Sequence, residues 1–244
     1  MNPLLKLLAD NRGRGAFRAE TSGEEATIYL YDAIVNDDYF GGVSASSFVK
    51  QLSAITAPTI HLRINCPGGD VFAGRAMAQA IAEHPSTIIT HVDGYAASAA
   101  SYVAIAAKEV IMGEGAMIMI HNAWTIAWGS ASDLRQTAEL LDKIDESLVA
   151  TYAARTGQDA AAIREWMAAE TWFSAEEAVA SGFADKCAVP ARKKAQASAQ
   201  WNLSAYSHAP EDKAPVEAAA PPALTFSNTE HLRRRLRLVE RQAA

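Results

Sequence analysis

The sequence predicts an α/β fold with a largely parallel sheet. Short runs of β-forming residues alternate along the chain with segments that have helical spacing of apolar residues, which is the pattern of βαβ units. Glycine-containing turns, Pro67–Asp70 and Asp93–Gly94, connect predicted strands to predicted helices. The chain has 244 residues, half of them hydrophobic and a fifth charged, so it is long enough to bury a substantial core.

The predicted elements follow one another through the first three quarters of the chain. Alternating β-formers predict strands at 26–31, 59–65, 87–92, 109–112 and 116–120. Helical spacing predicts helices at 44–55, 71–83, 132–155 and 159–168, and residues 94–107 predict a tight turn followed by an apolar helix. A capping box from Ser174 to Glu177 begins a further short helix, with Gly182 at its C-cap.

Composition divides the chain into three parts. Residues 1–25 are polar and glycine-bearing after a short leucine patch, which predicts a loose N-terminal arm. Residues 26–187 carry the alternating elements and predict the folded domain. Residues 188–244 predict a tail, an Ala/Pro-rich flexible linker followed at 230–242 by a basic amphipathic helix. That helix could be a solvated segment or a docking segment for a partner or a shell, and the sequence leaves both readings open.

Charge and cysteine content exclude several classes of protein. The formal net charge of −6 argues against general nucleic-acid binding. Cys66 and Cys187 form no disulfide framework, which favours a reducing compartment. The first ten residues are too short an apolar run for a secretory signal, and the longest apolar stretch falls short of the roughly 18 residues of a spanning helix. No cysteine, histidine or carboxylate spacing matches a metal site. We expect a cytoplasmic protein without metal, cofactor, nucleic-acid or membrane partner.

Ser98 stands where the turn after Gly94 becomes an apolar helix. A hydroxyl at this position meets exposed backbone N–H groups and the positive end of the helix dipole, both of which favour developing negative charge. A packed Ala/Ser helix would have the same composition, GYAASAAS, so this stretch alone leaves catalysis and packing both open. Ser101, about one turn further on, is the weaker candidate because its hydroxyl would bond back to a carbonyl.

Two further features could complete a serine active site. The stretch Asn65-Cys-Pro-Gly-Gly-Asp70 is a strand end followed by a double-glycine turn, which can present backbone N–H groups to an oxyanion. A plain tight turn is the alternative for this stretch. His121 ends an apolar strand at a strand-to-loop junction, where a side chain can reach a cleft. An activated serine needs such a base within hydrogen-bond reach.

Taken together, NCPGGDVFAG, GYAASAAS and MIMIHNAW, in this order and spacing, resemble the Clp protease proteolytic subunit (ClpP) family of serine peptidases. ETWFSAEEAVASGFAD is similar to that family's final helix-and-strand segment, so the resemblance covers residues 26–187. It implies a ClpP/crotonase-like fold of repeated ββα units with a largely parallel sheet and a protruding long helix. The N-terminal region, the ETWF variant and the added tail look most like the branch that tailed bacteriophages use as head-maturation (prohead) proteases.

The resemblance also implies roles for individual residues. Ser98 would be the nucleophile and His121 the general base. Glu170 matches the third catalytic member, where the family usually has Asp, whereas Asp185 matches a structural turn and ranks below Glu170. The backbone N–H groups of Gly69 and Ala99 would form the oxyanion hole. An extended substrate would pair as an added strand along the turn, which assigns substrate binding to Pro67, Gly68, Asp70 and Val71.

The activity that the resemblance implies is a serine endopeptidase working through an acyl-enzyme. Its substrates would be capsid or scaffold precursors, cleaved inside an assembling phage prohead, and its subunits would form a homo-oligomeric ring. A cellular ClpP-type subunit working with an ATP-driven unfoldase is one alternative. A crotonase-type acyl-CoA enzyme, which would have no reason to keep Ser98 with His121, and a catalytically inactive assembly scaffold are the others.

Overall fold

A mostly parallel β-sheet, built around one long strand, forms the centre of the molecule. The computed structural model describes residues 3–11, 15–188 and 201–210, which belong to a single compact unit. The strands are β1 Ala16–Ser22, β2 Glu25–Tyr31, β3 Ile34–Val35, β4 Val43–Ser44, β5 Thr59–Cys66, β6 Thr87–Ala97, β7 Glu109–Met112, β8 Met117–Ile120, β9 Thr171–Ser174 and β10 Lys186–Cys187. The helices are α1 Pro3–Asn11, α2 Ala45–Ser53, α3 Val71–Glu83, α4 Ala99–Ala104, α5 Ala131–Thr156, α6 Ala160–Ala168 and α7 Ala175–Ala180, with a 3₁₀ turn at Asp38–Phe40.

The main sheet has the order β1-β2-β5-β6-β7-β10, and β6 is its branch point. Strands β2, β5, β6, β7 and β10 run parallel, whereas β1 pairs antiparallel with β2. The 11-residue β6 pairs with β7 over Ile89–Val92 and then with β8 over Tyr95–Ala97. Strand β8 in turn carries the antiparallel β9. This branching brings the ends of β6 and β8 side by side, and both predicted catalytic side chains follow those ends.

Alternating burial along the strands produces the core that the sequence pattern predicts. Ile28 and Leu30 of β2 and Ile60 and Leu62 of β5 are buried, while the residues between them are only partly covered. Helices α2, α3 and α4 cover this face with apolar side chains, among them Phe48, Leu52, Met77, Ile81 and Val103. The α/β class with a largely parallel sheet is therefore confirmed.

Helix α5 projects from the domain over its first half. A capping box between Ser130 and Asp133 begins it, and Gly157, in the left-handed conformation with φ 71°, ends it. Leu134 and Leu140 are 45% and 51% exposed, whereas the buried positions of the helix begin at Ile144. The protruding long helix expected from the sequence is thus present. None of the helices in the described part of the chain is long and apolar enough to cross a membrane.

The first 25 residues differ from the loose arm that composition predicts. Residues 3–11 form α1, and β1 pairs with β2 through all seven of its residues. Strand β1 is the outer edge of the sheet, and every one of its side chains except the half-buried Phe17 is exposed. An edge strand held by backbone hydrogen bonds needs no apolar alternation, so its sequence carries no strand pattern.

Residues 201–210 also differ from the flexible linker that composition predicts. Trp201, Leu203 and Tyr206 are buried, and they form a second apolar cluster with Leu7, Ala97 and Met119. We call residues 201–210 the C-terminal strap. Burial of these three large side chains offsets the conformational entropy that the short segment loses on becoming ordered. The other residues of the segment are mostly small or polar. Residues 189–200 and the helix predicted at 230–242 lie outside the described residues.

Candidate active site

Ser98 is the single residue between the end of β6 and the start of α4. Its backbone lies at φ 54° and ψ −125°, a region that side-chain-bearing residues rarely adopt. The Ser98 amide donates to Met119 O at 2.9 Å, and the Ser98 carbonyl accepts from the amide and hydroxyl of Ser101 at 2.9 and 2.6 Å. These bonds hold Ser98 in a strained backbone conformation. Such conformations occur mostly at functional sites.

His121 follows the last residue of β8, and the pairing of β8 with β6 places its ring beside Ser98. The distance between His121 Nε2 and Ser98 Oγ is 2.7 Å, a hydrogen bond. Ser101, by contrast, is fully buried, and its hydroxyl contacts Tyr152 as well as the Ser98 carbonyl. A serine hydroxyl bonded to an imidazole is the arrangement that nucleophilic catalysis requires.

The His121 ring is neutral near pH 7. Burial lowers its pKa to about 4, and the negative charge of Glu170 opposes this effect only in part. A neutral imidazole with its proton on Nδ1 has a free lone pair on Nε2, which can accept the Ser98 proton. The pair is therefore in the protonation state that proton abstraction from Ser98 needs.

Glu170 is held by the C-terminal strap. It has φ 50°, and its two carboxylate oxygens accept hydrogen bonds from the amides of Ser207 at 3.0 Å and His208 at 2.6 Å. Within the described part of the chain no hydrogen bond joins Glu170 to His121, and the carboxylate acts on the ring through its charge. The structure thus brings Ser98 and His121 into contact and places Glu170 near them, engaged with the strap.

Asp185, the lower-ranked acid, makes structural contacts. Its Oδ2 accepts from the Val110 amide at 2.7 Å and from the Arg155 guanidinium at 2.6 Å. These bonds tie the chain after α7 to β7 and to the end of α5, so the carboxylate is committed to holding those elements together.

The double-glycine turn is fixed on one side by Ile34. The Ile34 amide donates to Gly68 O at 2.8 Å, and the Asp70 amide donates to Ile34 O at 2.9 Å. Since bonding groups alternate along an extended segment, the Gly69 N–H faces away from Ile34. A Cβ at Gly69 would lie 1.9 Å from Ile34 O, so the close approach requires glycine.

The second predicted oxyanion donor is Ala99, the first residue of α4, where an N–H has no acceptor within the helix. Gly69, Ala99 and Ser98 line one cleft.

The four residues predicted to bind substrate divide into two pairs. Asp70 and Val71 line the cleft, although the Asp70 carboxylate caps α3 by accepting from the Ala73 amide at 2.7 Å. Pro67 and Gly68 are buried and are not among the residues that line the cleft. Their assignment to substrate binding, like the catalytic roles, stays a prediction.

The cleft itself is apolar and has a volume of about 300 Å³. Ser98 and His121 lie in its wall, and α5 forms much of the remainder. The apolar side chains that line it include Val71, Phe72, Trp124, Ile126, Leu140, Leu141, Ile144 and Leu148. Such a cleft suits an extended chain that inserts an apolar side chain next to the Ser98–His121 pair.

Tyr206 is the site residue that the sequence did not reveal. Its hydroxyl donates to Pro67 O, and its ring meets His121 edge to face, with centroids 5.4 Å apart and planes at 89°. Burial raises the pKa of Tyr206, an effect that the neighbouring Ser98 hydroxyl opposes, so the phenol keeps its proton at neutral pH. The available signal was the group of large side chains, Trp201, Leu203 and Tyr206, in a stretch otherwise made of small and polar residues.

Comparison with known proteins agrees with this architecture. The ClpP1 structure of a Listeria monocytogenes variant superposes with a TM-score of 0.58, over 68% of this chain and 92% of the other, at 24% identity. That likeness concerns the fold, and with it the ClpP-like arrangement expected from the sequence is confirmed.

Sequence relatives extend the likeness from fold to family. The ATP-dependent Clp protease proteolytic subunit 3 of Rhodococcus jostii is 30% identical over 66% of this chain and 80% of its own length. Subunit 1 of Protochlamydia amoebophila is 33% identical over 65% of this chain and 78% of its own length. The sequence model of the Clp protease family matches residues 23–190, the part that carries Ser98, His121 and Glu170. The chain therefore belongs to the Clp protease family of ClpP-type serine proteases.

Proposed function

We propose that this protein is a serine endopeptidase in which Ser98 is the nucleophile and His121 the general base. The observation that carries the proposal is the 2.7 Å hydrogen bond between Ser98 Oγ and His121 Nε2, made at a strained strand-to-helix junction. Membership of a serine protease family supports the same chemistry. A crotonase-type acyl-CoA enzyme would gain nothing from this hydroxyl–imidazole pair.

The reaction proceeds through an acyl-enzyme. As Ser98 Oγ bonds to the scissile carbonyl carbon, its proton moves to His121 Nε2, and the amides of Gly69 and Ala99 hold the carbonyl oxygen as it becomes negative. His121 then protonates the leaving amine as the C–N bond breaks. A water molecule then attacks the acyl carbon and gives a proton to His121, which passes it to Ser98 Oγ as the ester bond breaks, so the free enzyme is restored.

Glu170 stabilises the imidazolium form of His121 through its charge. Because burial holds the His121 pKa near 4, the protonated ring is costly to form, and the nearby carboxylate lowers that cost. The strap amides hold the Glu170 carboxylate in place, and the carboxylate acts on His121 through its charge, without a direct hydrogen bond to Nδ1. Its role is therefore electrostatic.

A peptide substrate binds extended, along the segment from Gly69 to Val71. That segment has its outer bonding groups turned away from Ile34, which leaves them available to a new strand. The apolar cleft beside Ser98 takes one substrate side chain.

The active assembly is a homo-oligomeric ring. Trp128 is 84% exposed, and Ile126, Leu134 and Leu140 are also well exposed along the loop and the projecting half of α5. Such a run of large apolar side chains on one projecting segment marks a surface that a second copy covers.

Two cellular settings are compatible with this activity. The relatives are named ATP-dependent Clp protease proteolytic subunits, which supports a cellular subunit that receives substrates from an ATP-driven unfoldase. Processing of capsid or scaffold precursors inside a phage prohead is the narrower proposal, supported by the ETWF variant and by the tail outside residues 23–190. A catalytically inactive assembly scaffold is the alternative to the activity itself.

Active-site labelling tests the chemistry. A fluorophosphonate probe should label the wild-type protein and the Ser101→Ala variant, and should leave Ser98→Ala unlabelled and His121→Ala nearly so. Persistent labelling of Ser98→Ala, or an unlabelled wild type, would refute the serine peptidase. Purified protein is then incubated with a candidate capsid precursor alone, and with an unfolded protein plus a Clp-type ATPase and ATP. Cleavage of the capsid precursor alone supports the prohead protease, and cleavage only with the ATPase and ATP supports the cellular subunit.

A further inference from the structure

The C-terminal strap is anchored deeply at its first residues. Trp201 is 1% exposed, and its Nε1 donates to Asn65 O at 2.9 Å, close to the start of the double-glycine turn. The buried Asn11 side chain accepts from the Asn202 amide at 2.6 Å and donates to Asn202 O at 2.9 Å. Helix α1 and the strap thus form one unit that covers the end of β5.

Further along, the strap contacts the double-glycine turn, His121 and Glu170. Tyr206 places its hydroxyl on Pro67 O and its ring on His121. A Cβ at Gly68 would lie 3.1 Å from the Tyr206 hydroxyl, which shows how closely the tyrosine packs on the turn. The next two amides bind the Glu170 carboxylate.

These contacts add to the support that Ile34 gives the double-glycine turn. Ile34 fixes Gly68 O and the Asp70 amide from one side. Tyr206 fixes Pro67 O, which belongs to the preceding peptide group, between Pro67 and Gly68. Ile34 therefore holds the two peptide groups that flank Gly69, and Tyr206 holds the one before them, so the path of the chain into the Gly69 N–H depends on both partners.

The strap does not act as a plug. The cleft keeps a volume of about 300 Å³ with Tyr206 in its wall, and the Ser98–His121 bond is intact at 2.7 Å. A blocking segment would fill the cleft or separate the pair. The Tyr206 hydroxyl bonds Pro67 O, and its ring packs against His121 edge to face. Both contacts support the site without entering the cleft.

We infer that the strap is a built-in part of the active site and that Tyr206 is its positioning residue, fixing the Pro67–Gly69 turn through its hydroxyl and His121 through its ring. The inference rests on the proposed serine peptidase function. Tyr206 lies outside residues 23–190, so this chain supplies the support from beyond the part that matches the family.

Fluorophosphonate kinetics on the full chain test the inference. In that reaction Ser98 Oγ bonds to phosphorus, fluoride leaves, the proton passes to His121, and the phosphoryl oxygen occupies the oxyanion hole. We expect Tyr206→Phe to lower the limiting labelling rate about 10-fold, the factor that one hydrogen bond carries, with the probe's binding constant unchanged. Its pH profile should stay in place because the ring still packs on His121.

A second variant separates the ring from the hydroxyl. Tyr206→Leu removes the edge-to-face contact, admits water to His121 and should move the acidic limb of the labelling profile to higher pH. Glu170, Ser98 and Tyr206 are the titratable or polar groups that face His121, and Glu170 is the charged one among the described residues. Tyr29→Phe, the same chemical change on β2 far from Ser98, is the matched control and should label like the wild type.

The outcomes separate this inference from the proposed function. An unlabelled wild type refutes both. A labelled wild type with Tyr206→Phe equally fast, and Tyr206→Leu unshifted in pH, refutes only the positioning role. Faster labelling of either variant would show the strap to be an inhibitor and would also overturn it. Thermal unfolding of each variant checks that labelling is measured on folded protein, so a slow variant that has unfolded does not count as support.

Discussion

Replacing Ser98 by glycine should stabilise the protein relative to replacing it by alanine. Both substitutions remove the hydroxyl and its bond to His121, so their comparison isolates the backbone at φ 54° and ψ −125°. Holding a side-chain-bearing residue in such a region costs about 1–3 kcal/mol, and alanine keeps that cost while glycine removes it. Glycine loses about 0.4–1 kcal/mol through the greater freedom of the unfolded chain. The net expectation is about 1 kcal/mol in favour of Ser98→Gly.

Thermal unfolding measures this difference directly. For a domain of this size about 1 kcal/mol corresponds to a shift of about 2–4 °C, with Ser98→Gly melting above Ser98→Ala. Both proteins lack the proposed nucleophile, so self-cleavage cannot distort the comparison, and equal protein concentrations remove the effect of assembly. If Ser98→Ala melts at the same temperature as Ser98→Gly or above it, the junction stores no strain and the functional argument from its backbone is wrong.

Three further predictions concern protons and the turn. Since the His121 pKa falls from 6.5 to about 4 on folding, the unfolded chain binds the extra proton, so His121 should contribute about 3 kcal/mol of stability that is present above pH 6.5 and lost towards pH 4 in urea titrations. Burial lowers the pKa of His91 to about 4 as well, so His91 adds a loss in the same pH range and the titrations are compared in a background that lacks His91. Gly69→Ala should abolish fluorophosphonate labelling and lower the melting temperature, because the new Cβ meets a backbone oxygen; Gly115→Ala, also at positive φ but with open space around it, should label normally. Glu170→Gln should slow labelling at least 10-fold and lower the apparent pKa of its acidic limb, whereas Asp185→Asn should cost stability and spare the labelling rate; a Glu170→Gln rate within a few-fold of wild type would remove Glu170 from the mechanism.

The elements that bury apolar side chains were predictable from the sequence. Strand β5 and helix α3 were predicted within one residue of their observed bounds, because alternating or helical apolar spacing records which face is buried. Strand β6 was predicted to end at Val92 and in fact continues to Ala97. Its last residues, Tyr95–Ala97, lie beyond Gly94 and show no clear β pattern, and they remain extended because β8 pairs with them. Pairing between distant strands leaves no local pattern in the chain.

The catalytic pair was predictable from local sequence motifs, whereas the contribution of the C-terminal strap was not. Ser98 and His121 each stand at a strand end, and parallel strand ends meet at one edge, so their contact follows from motifs read locally. The strap reaches the site from more than a hundred residues beyond the turn that it supports. Its aromatic residues stand among small and polar ones, and average composition conceals three buried side chains.

The electrostatics of His121 show why the strap and the acid have to be considered together. A base with a pKa near 4 is fully neutral at pH 7, so the fraction of competent enzyme does not limit the rate; the cost of forming the imidazolium does. That cost falls when the Glu170 carboxylate is held close to the ring. The amides of Ser207 and His208 hold it, while also drawing off part of its charge. The strap that buries His121 through Tyr206 therefore also places the charge that offsets this burial, and the basicity of the pair depends on a segment outside the family-matching domain.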